Sequence, residues 1–215
     1  MIAVASIAQR ALNGWPLFLT IAAMTFIAIS AAALLIGIST PESTVSLIRL
    51  SVQLASPWIF LAFAASAMAQ IFPGNTSSWL LRNRRYLGLS FAAGFGWQAV
   101  FIAVLFTLYS PYYWEELHKT SDLVLRIGSY ALLIAMTITS FFPVRRRLRT
   151  EHWHWLQLVG VWYFWLAIWT SYAELAFSSS ATVISFVYFN LGLLALVLRV
   201  AAYLKRRTNG LEMSS

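Results

Sequence analysis

The stretch spanning residues 15–38, WPLFLTIAAMTFIAISAAALLIGI, contains no charged residue and is long enough to cross a lipid bilayer as a helix. The hydrocarbon core is about 30 Å thick and a helix rises about 1.5 Å per residue, so about 20 apolar residues span it. A helix also satisfies the backbone hydrogen bonds that lipid cannot provide. Five further runs have the same character, and they cover residues 50–72, 87–108, 123–142, 156–177 and 181–203.

The composition favours a membrane protein over other classes. Hydrophobic residues make up 60% of the 215-residue chain and charged residues only 10%. Because the connections between the runs are short, we predict one transmembrane domain over residues 1–215, an all-α bundle of six helices. The net charge of +8 does not indicate a nucleic-acid partner, since the cations lie in short clusters between apolar runs. The sequence contains no cysteine, which excludes disulfide and thiolate chemistry.

The positions of the cations predict the orientation of the bundle. With six spans, both termini lie on the same side of the membrane as the second and fourth loops. That side carries 11 of the 15 Lys and Arg residues, which are Arg10, Arg82, Arg84, Arg85, Arg145, Arg146, Arg147, Arg149, Lys205, Arg206 and Arg207. Positively charged loops remain in the cytoplasm, so we expect both the N-terminus and the C-terminus to be cytoplasmic.

Few polar side chains lie inside the predicted spans, and each is a functional candidate because burying a polar group in lipid is costly. They are the amides Gln53, Gln70, Gln98, Gln157 and Asn190. Hydrogen bonds between helices are the simpler explanation for them. No carboxylate lies near the middle of a span, so an ion-coupled pump is not supported. The histidines, His118, His152 and His154, lack the further ligands that a metal site needs, and we predict no catalytic residue.

The fifth predicted helix carries a stripe of tryptophans. Trp155, Trp162, Trp165 and Trp169 recur at spacings of seven, three and four, which is the period of one helix face. The stripe packs against other helices and lipid, or it forms a wall for a flat hydrophobic ligand, and the sequence leaves both interpretations open. On the third helix, three glycines would let another helix approach closely: Gly88, Gly94 and Gly96.

The residues that open the third span, RRYLGL at 84–89, resemble the same point in the ferric-reductase-like transmembrane family. The basic loop after the fourth span and the run LALVLR at 194–199 are similar to that family as well. The resemblance is nearest to the haem-binding membrane subunit of the periplasmic methionine-sulfoxide reductase system. It implies a bacterial inner-membrane protein that carries electrons through b-type haem, with histidine ligands on the third and fifth helices and separate redox partners.

The sequence departs from this family at the haem ligands. By the resemblance, Gln98 stands at the third-helix histidine, Gln157 at the first fifth-helix histidine, and Thr170 at the second. A competing alignment retains His154 and puts Ala167 at the later position. A glutamine amide is a poor ligand for haem iron. We therefore expect no ordinary six-coordinate haem, and we expect Gln98 and Gln157 to hydrogen-bond each other or a ligand.

Three functions are compatible with these observations. The missing histidines favour a haem-free relative of the family that acts as a partner or scaffold subunit with an unidentified protein partner, without enzymatic activity of its own. The alternative is transmembrane electron transfer through b-type haem with non-standard ligation, in which haem is held through His154 or by unexpected ligands near the family positions Gln98, Gln157 and Thr170. A further alternative is the binding of a quinone or a porphyrin-like molecule against the tryptophan stripe.

Overall fold

The protein is described here by a computed structural model that covers residues 12–116 and 120–212. Within these ranges lie eight helices: α1 (Trp15–Ile36), α2 (Pro41–Ile71), α3 (Asn75–Leu108), α4 (Ser110–Glu116), α5 (Thr120–Thr139), α6 (Phe142–Arg145), α7 (Thr150–Ala176) and α8 (Val183–Glu212). The same ranges contain no strand, so the all-α prediction is confirmed for them. Arg10 and His118, which entered the sequence-based predictions, lie outside the described residues.

Four helices are long and apolar enough to cross a membrane, and they are α1, α2, α3 and the Val183–Thr208 part of α8. The apolar part of α5, Val124–Thr139, is shorter than a full span. Helix α7 has 27 residues, but its many Trp and Tyr side chains lower its hydropathy and it is not among the four. These apolar helices indicate a multi-pass membrane protein, while the count of six spans and the sidedness of the termini stay predictions.

Helices α2 and α8 begin with polar caps. At the start of α2, the backbone N–H of Ser43 donates to Thr40 Oγ1 at 3.2 Å, and the N–H of Thr40 donates to Ser43 Oγ at 3.3 Å. The same reciprocal pair joins Thr182 and Ser185 before α8, at 3.0 and 3.2 Å. This capping arrangement satisfies N–H groups that the helix leaves without partners. It explains why α2 begins at Pro41, well before the apolar run that predicted it.

The helices divide into two compact units. The first unit contains the described residues before Trp15, the segment Ser56–Gly88, and the chain from Val161 onward. The second unit contains Trp15–Ala55 and Leu89–Gly160. Three of the four boundaries between these segments fall inside helices, so α2, α3 and α7 each contribute residues to both units.

The second unit has a core of apolar side chains from its first three helices. Ile29, Leu47 and Phe101 are buried together there. Gly94 on α3 faces α2 so closely that an added Cβ would lie 2.7 Å from the Cβ of Ala55, which confirms the predicted close approach at this glycine. At the other two glycines of α3, an added Cβ would meet no described atom within 4 Å.

Candidate functional site

Gln98, the residue at the family's third-helix histidine, is half-buried on α3 in the second unit. Its Oε1 accepts a hydrogen bond from the hydroxyl of Tyr130 on α5, with an oxygen–oxygen distance of 3.2 Å. The ring of Tyr130 also packs against Phe95, one turn before Gln98, with ring centroids 6.5 Å apart. The amide of Gln98 therefore connects α3 to α5.

Gln157, the residue at the family's first fifth-helix histidine, lies on α7 and connects α7 to α5. Its Nε2 donates to the backbone oxygen of Met136 at 3.1 Å and to Thr139 Oγ1 at 3.3 Å. Both acceptors belong to the last turns of α5. Thr139 in turn donates its hydroxyl to the backbone oxygen of Ala135 at 2.7 Å, so this hydroxyl both accepts and donates a hydrogen bond within the group.

Residues on either side of Gln157 continue the contact between α7 and α5. Trp153 donates its Nε1–H to the backbone oxygen of Thr139 at 3.1 Å. A Cβ atom added at Gly160 would overlap the sulfur of Met136. Since residues 153, 157 and 160 share one face of a helix, they form a continuous seam along the end of α5, and the side chain of Met136 occupies the space beside Gly160 in that seam.

The predicted helix–helix role of the two amides is therefore observed, but with a different partner from the one expected. Within the described residues, Gln98 and Gln157 do not bond each other, and each bonds α5 instead. The reason is geometric: α5 offers a phenol hydroxyl and a backbone carbonyl at short range. Tyr130 and Met136 were not singled out from the sequence, because a tyrosine in a span and a main-chain oxygen carry no distinctive sequence signal.

The remaining family positions do not join this group. Thr170 lies in the first unit, is exposed, and donates its hydroxyl back to Leu166 O at 2.9 Å and Ala167 O at 3.1 Å. His154 and His152 are exposed on α7. In the described part of the chain, no three His, Cys, Asp or Glu side chains lie close enough together to hold a metal ion.

The donors at the family's ligand positions do not fit the usual axial ligation of haem iron, which employs His, Cys, Met or Tyr side chains. Gln98 and Gln157 are neutral amides whose polar atoms are engaged with α5. Thr170 directs its hydroxyl to its own helix. These three residues therefore do not supply axial ligands of the usual kind for haem iron.

The first unit contains a second candidate site, a column of stacked aromatic rings. The column consists of Phe63 on α2, Trp165 and Trp169 on α7, and Phe189 on α8. Successive ring centroids lie 4.7, 5.2 and 5.8 Å apart, and successive ring planes are inclined by 10°, 16° and 9°. The indole N–H groups donate to backbone oxygens of α8, Trp165 to Gly192 at 3.1 Å and Trp169 to Phe189 at 3.1 Å.

The column shows how the tryptophan stripe is used. Trp165 is only 3% exposed and packs between rings, whereas Trp162 and Trp155 are 38% and 62% exposed. Packing is thus the role of the stripe's buried members. Gly192 makes this packing possible, because an added Cβ there would overlap Trp169. The sequence did not single out Phe63 or Phe189, since phenylalanines in apolar runs look alike wherever they pack.

Arg199 lies at the end of the aromatic column. Its Nε donates to the backbone oxygen of Phe63 at 3.1 Å. Its guanidinium carbon is 4.2 Å from the ring centroid of Phe63 and 5.1 Å from that of Trp162, distances typical of cation–π contacts. The side chain is half-buried. A cation at this depth in an apolar helix is a functional candidate in its own right.

No protein-family model, no curated protein and no solved structure matches this chain. The resemblance to ferric-reductase-like membrane subunits therefore rests on the short motifs alone.

Proposed function

We propose that this chain is a haem-free, six-span membrane subunit that acts through a protein partner, and that it is a divergent relative of the ferric-reductase-like family in the inner membrane of a bacterium. One observation carries the proposal. The two glutamines that stand where the family has haem-ligating histidines hydrogen-bond α5, through Tyr130 and Met136. Side chains used in this way hold the helices together in place of a cofactor.

The contact between α5 and α7 supports the same function. Met136 fills the space beside Gly160, and the indole N–H of Trp153 donates to the backbone oxygen of Thr139. A haem is a large planar group, and a pocket for it requires a gap between the helices that bear its ligands. The described residues of this region instead form a packed seam, which suits a scaffold, assembly or partner subunit with no enzymatic activity of its own.

A six-span count requires α5 and α7 to cross the membrane together with the four helices that qualify by length and composition. Helix α7 is long enough at 27 residues, and its aromatic side chains are common in membrane helices near the interfaces. Helix α5 has 20 residues in all, so it can cross a bilayer only if its polar first turn, before the apolar part Val124–Thr139, lies at the interface. The exposed cations Arg145, Arg147 and Arg149 follow α5, which favours a cytoplasmic position for that loop.

Topology can be mapped directly because the sequence contains no cysteine. Single cysteines introduced by Arg147→Cys and Ser179→Cys would be treated, in intact cells, with a maleimide that cannot cross the membrane. Six spans predict labelling of the Ser179 variant only, with the Arg147 variant labelled after permeabilisation. If α5 and α7 do not cross, both variants label in intact cells, and that result would reject the six-span arrangement.

The partner role is tested by affinity purification of the tagged full-length chain in mild detergent. We expect one other polypeptide to co-purify in a fixed ratio, identified by mass spectrometry. A multi-pass protein of the same membrane with the same tag is the control, and it should not recover that polypeptide. Recovery of the chain alone, after cross-linking in intact cells as well, would argue against a partner subunit.

A further inference from the structure

Asn190 is an amide on the outer surface of α8. Its side chain is exposed, and it lies about 10 Å along the helix from Val183, where the apolar part of α8 begins. Its Nδ2 donates to the backbone oxygen of Phe186 at 2.7 Å, a hydrogen bond within its own helix. Among the described residues no donor reaches its Oδ1, so the amide is only partly hydrogen-bonded within the chain.

An exposed amide inside a membrane helix meets lipid, which provides no hydrogen-bond partner, and leaving a polar group without one is costly. The exposed surface of α8 is otherwise apolar. On the described stretch from Val183 to Leu204, Asn190 is the only exposed residue that carries an amide or a charge. A second helix packed on this surface would supply the missing partner.

The exposed residues around Asn190 have the spacing of a coiled coil. Along α8 they recur at alternating intervals of four and three, which is a repeat of seven residues. Such a repeat keeps one face of a helix against a partner helix along its whole length when the two helices supercoil. The seven exposed residues in this register form the heptad face of α8, which consists of Val183, Val187, Asn190, Leu194, Val197, Ala201 and Leu204.

The opposite side of α8 packs within its own chain. Ser185 and Ala195 are buried there, and Gly192 lies against Trp169 of the aromatic column. Since each residue turns a helix by about 100°, residue 192 lies about 200° around the helix from residue 190. The heptad face therefore points away from the aromatic column, and a second helix could pack on it without displacing that column.

A second copy of this chain is the partner that the heptad face fits. Copies inserted in the same membrane share one orientation, so a two-fold axis along the membrane normal brings α8 beside α8 of the second copy, parallel and at the same depth. Asn190 then meets Asn190 of the second copy. An amide has both donors and an acceptor, so the pair can exchange two hydrogen bonds, from Nδ2 of each copy to Oδ1 of the other.

We propose that two copies of this chain associate in the membrane through the heptad face of α8, with Asn190 of each copy hydrogen-bonded to Asn190 of the other. Val187 and Leu194, one turn before and one turn after Asn190, then pack against the second copy as in a left-handed coiled coil. In lipid, such association is driven by close packing and interhelical hydrogen bonds. The inference rests on the membrane location of α8, and it is independent of haem and of the partner polypeptide proposed above.

Single cysteines can map the contact, because the sequence contains none. Membranes containing the full-length Val187→Cys, Leu194→Cys or Val197→Cys variant would be oxidised with copper phenanthroline and analysed on non-reducing gels. A disulfide requires Cα atoms within about 7 Å, so these three variants should form cross-linked dimers. Leu191→Cys and Tyr203→Cys are the controls, since both residues are exposed on α8 outside the heptad face, and they should stay monomeric.

The cross-linking pattern also identifies the occupant of the heptad face. Cross-linking at none of the positions would overturn the proposal, and so would equal cross-linking at all of them, which is the pattern of random collisions. A cross-link from the heptad face to a different polypeptide would assign this surface to that partner and reject the second copy.

The role of Asn190 is tested by the dissociation constant of the dimer. Full-length chains labelled with donor or acceptor dyes at Ser179→Cys would be reconstituted in phosphatidylcholine vesicles, and energy transfer measured against the protein-to-lipid ratio. An interhelical hydrogen bond in a membrane contributes a factor of about three on average, so Asn190→Leu, which loses two, should raise the dissociation constant about tenfold. Asn190→Gln keeps an amide and should retain most of the association.

A defect in folding is separated from a defect in association by unfolding in dilute detergent, where the copies are apart. There, Asn190→Leu should unfold like the wild type, because within one chain the amide bonds only its own helix among the described residues. A dissociation constant unchanged by Asn190→Leu, or wild-type chains that show no energy transfer at any protein-to-lipid ratio, would overturn the proposal.

Discussion

Replacing Gly192 with alanine tests the aromatic column at its tightest point. An added Cβ at Gly192 would overlap Trp169 at Cδ1, lie 3.0 Å from Trp169 Cγ and lie 3.3 Å from Phe60 Cε1. The indole cannot rotate away cheaply, because it is stacked between Trp165 and Phe189 and donates to the backbone oxygen of Phe189. The substitution must therefore displace either the ring or α8.

The expected change in the free energy of unfolding combines three contributions. Overpacking of a filled core costs about 1–3 kcal/mol. Loss of the indole hydrogen bond in a membrane protein adds about 0.6–1.7 kcal/mol. The higher helix propensity of alanine offsets about 1 kcal/mol. We expect Gly192→Ala to lower the free energy of unfolding by about 2 kcal/mol.

The assay is reversible unfolding of the full chain in mixed micelles of dodecyl maltoside and increasing sodium dodecyl sulfate, followed by circular dichroism and tryptophan fluorescence. Gly88→Ala is the matched control, since it lies in the same unit and an added Cβ there meets no described atom within 4 Å. It should be neutral or more stable by up to about 1 kcal/mol. If Gly192→Ala is as stable as Gly88→Ala, the close packing of α8 on the column is refuted.

Three further substitutions test the contacts of the second unit by the same assay. Gly94→Ala should lower the free energy of unfolding by about 1–3 kcal/mol, because the new methyl group meets the Cα and Cβ of Ala55, and a backbone atom cannot move aside as a flexible side chain can. Unchanged stability would show that α2 and α3 are farther apart at this point. Gln157→Leu should lower the free energy of unfolding by about 1–2 kcal/mol, because two hydrogen bonds to α5 are lost. Asn190 is the control, since among the described residues its amide donates to its own helix; Asn190→Leu should change stability by less than about 0.5 kcal/mol. If both substitutions change stability equally, the hydrogen bonds from Gln157 to α5 do not stabilise the fold more than a bond within one helix. Tyr130→Phe should cost about 0.6 kcal/mol and should lose this effect when Gln98 is already replaced by leucine, which a double-mutant cycle measures.

The apolar runs predicted the class of the fold because hydrophobicity and length are written directly in the sequence. The residues at which the helices begin and end were harder to predict from the sequence. Helix α2 begins at Pro41 because Thr40 and Ser43 cap it, and such short polar pairs lie outside the apolar signal that located the span. Helix α7 shows the converse problem, since its tryptophans make a long helix look less apolar than its neighbours.

The candidate residues were partly predictable as well. An amide in an apolar helix stands out, so Gln98 and Gln157 were found, and the spacing of the tryptophans identified Trp165 and Trp169. Their partners could not be found, because Met136 contributes a backbone oxygen and Phe63 is one apolar residue among many. Contacts between distant segments depend on how helices approach each other, which local sequence patterns do not specify.

Arg199 illustrates the same limit for charge. The sequence shows it only as the last residue of the run LALVLR at 194–199. In the structure the guanidinium lies against the rings of Phe63 and Trp162. These contacts join α8 to α2 and α7, and they follow from tertiary packing rather than from a local sequence pattern.

Absorption spectroscopy tests directly whether the protein lacks haem. The full chain would be purified in mild detergent from cells with abundant haem, and its spectra recorded oxidised and after reduction with dithionite. We expect a colourless protein without a Soret band, in which Gln98 and Gln157 serve only to join helices. Stoichiometric haem with sharp reduced bands, lost on His154→Ala, would contradict this prediction and show that haem is held by a histidine that the structure places on an exposed face.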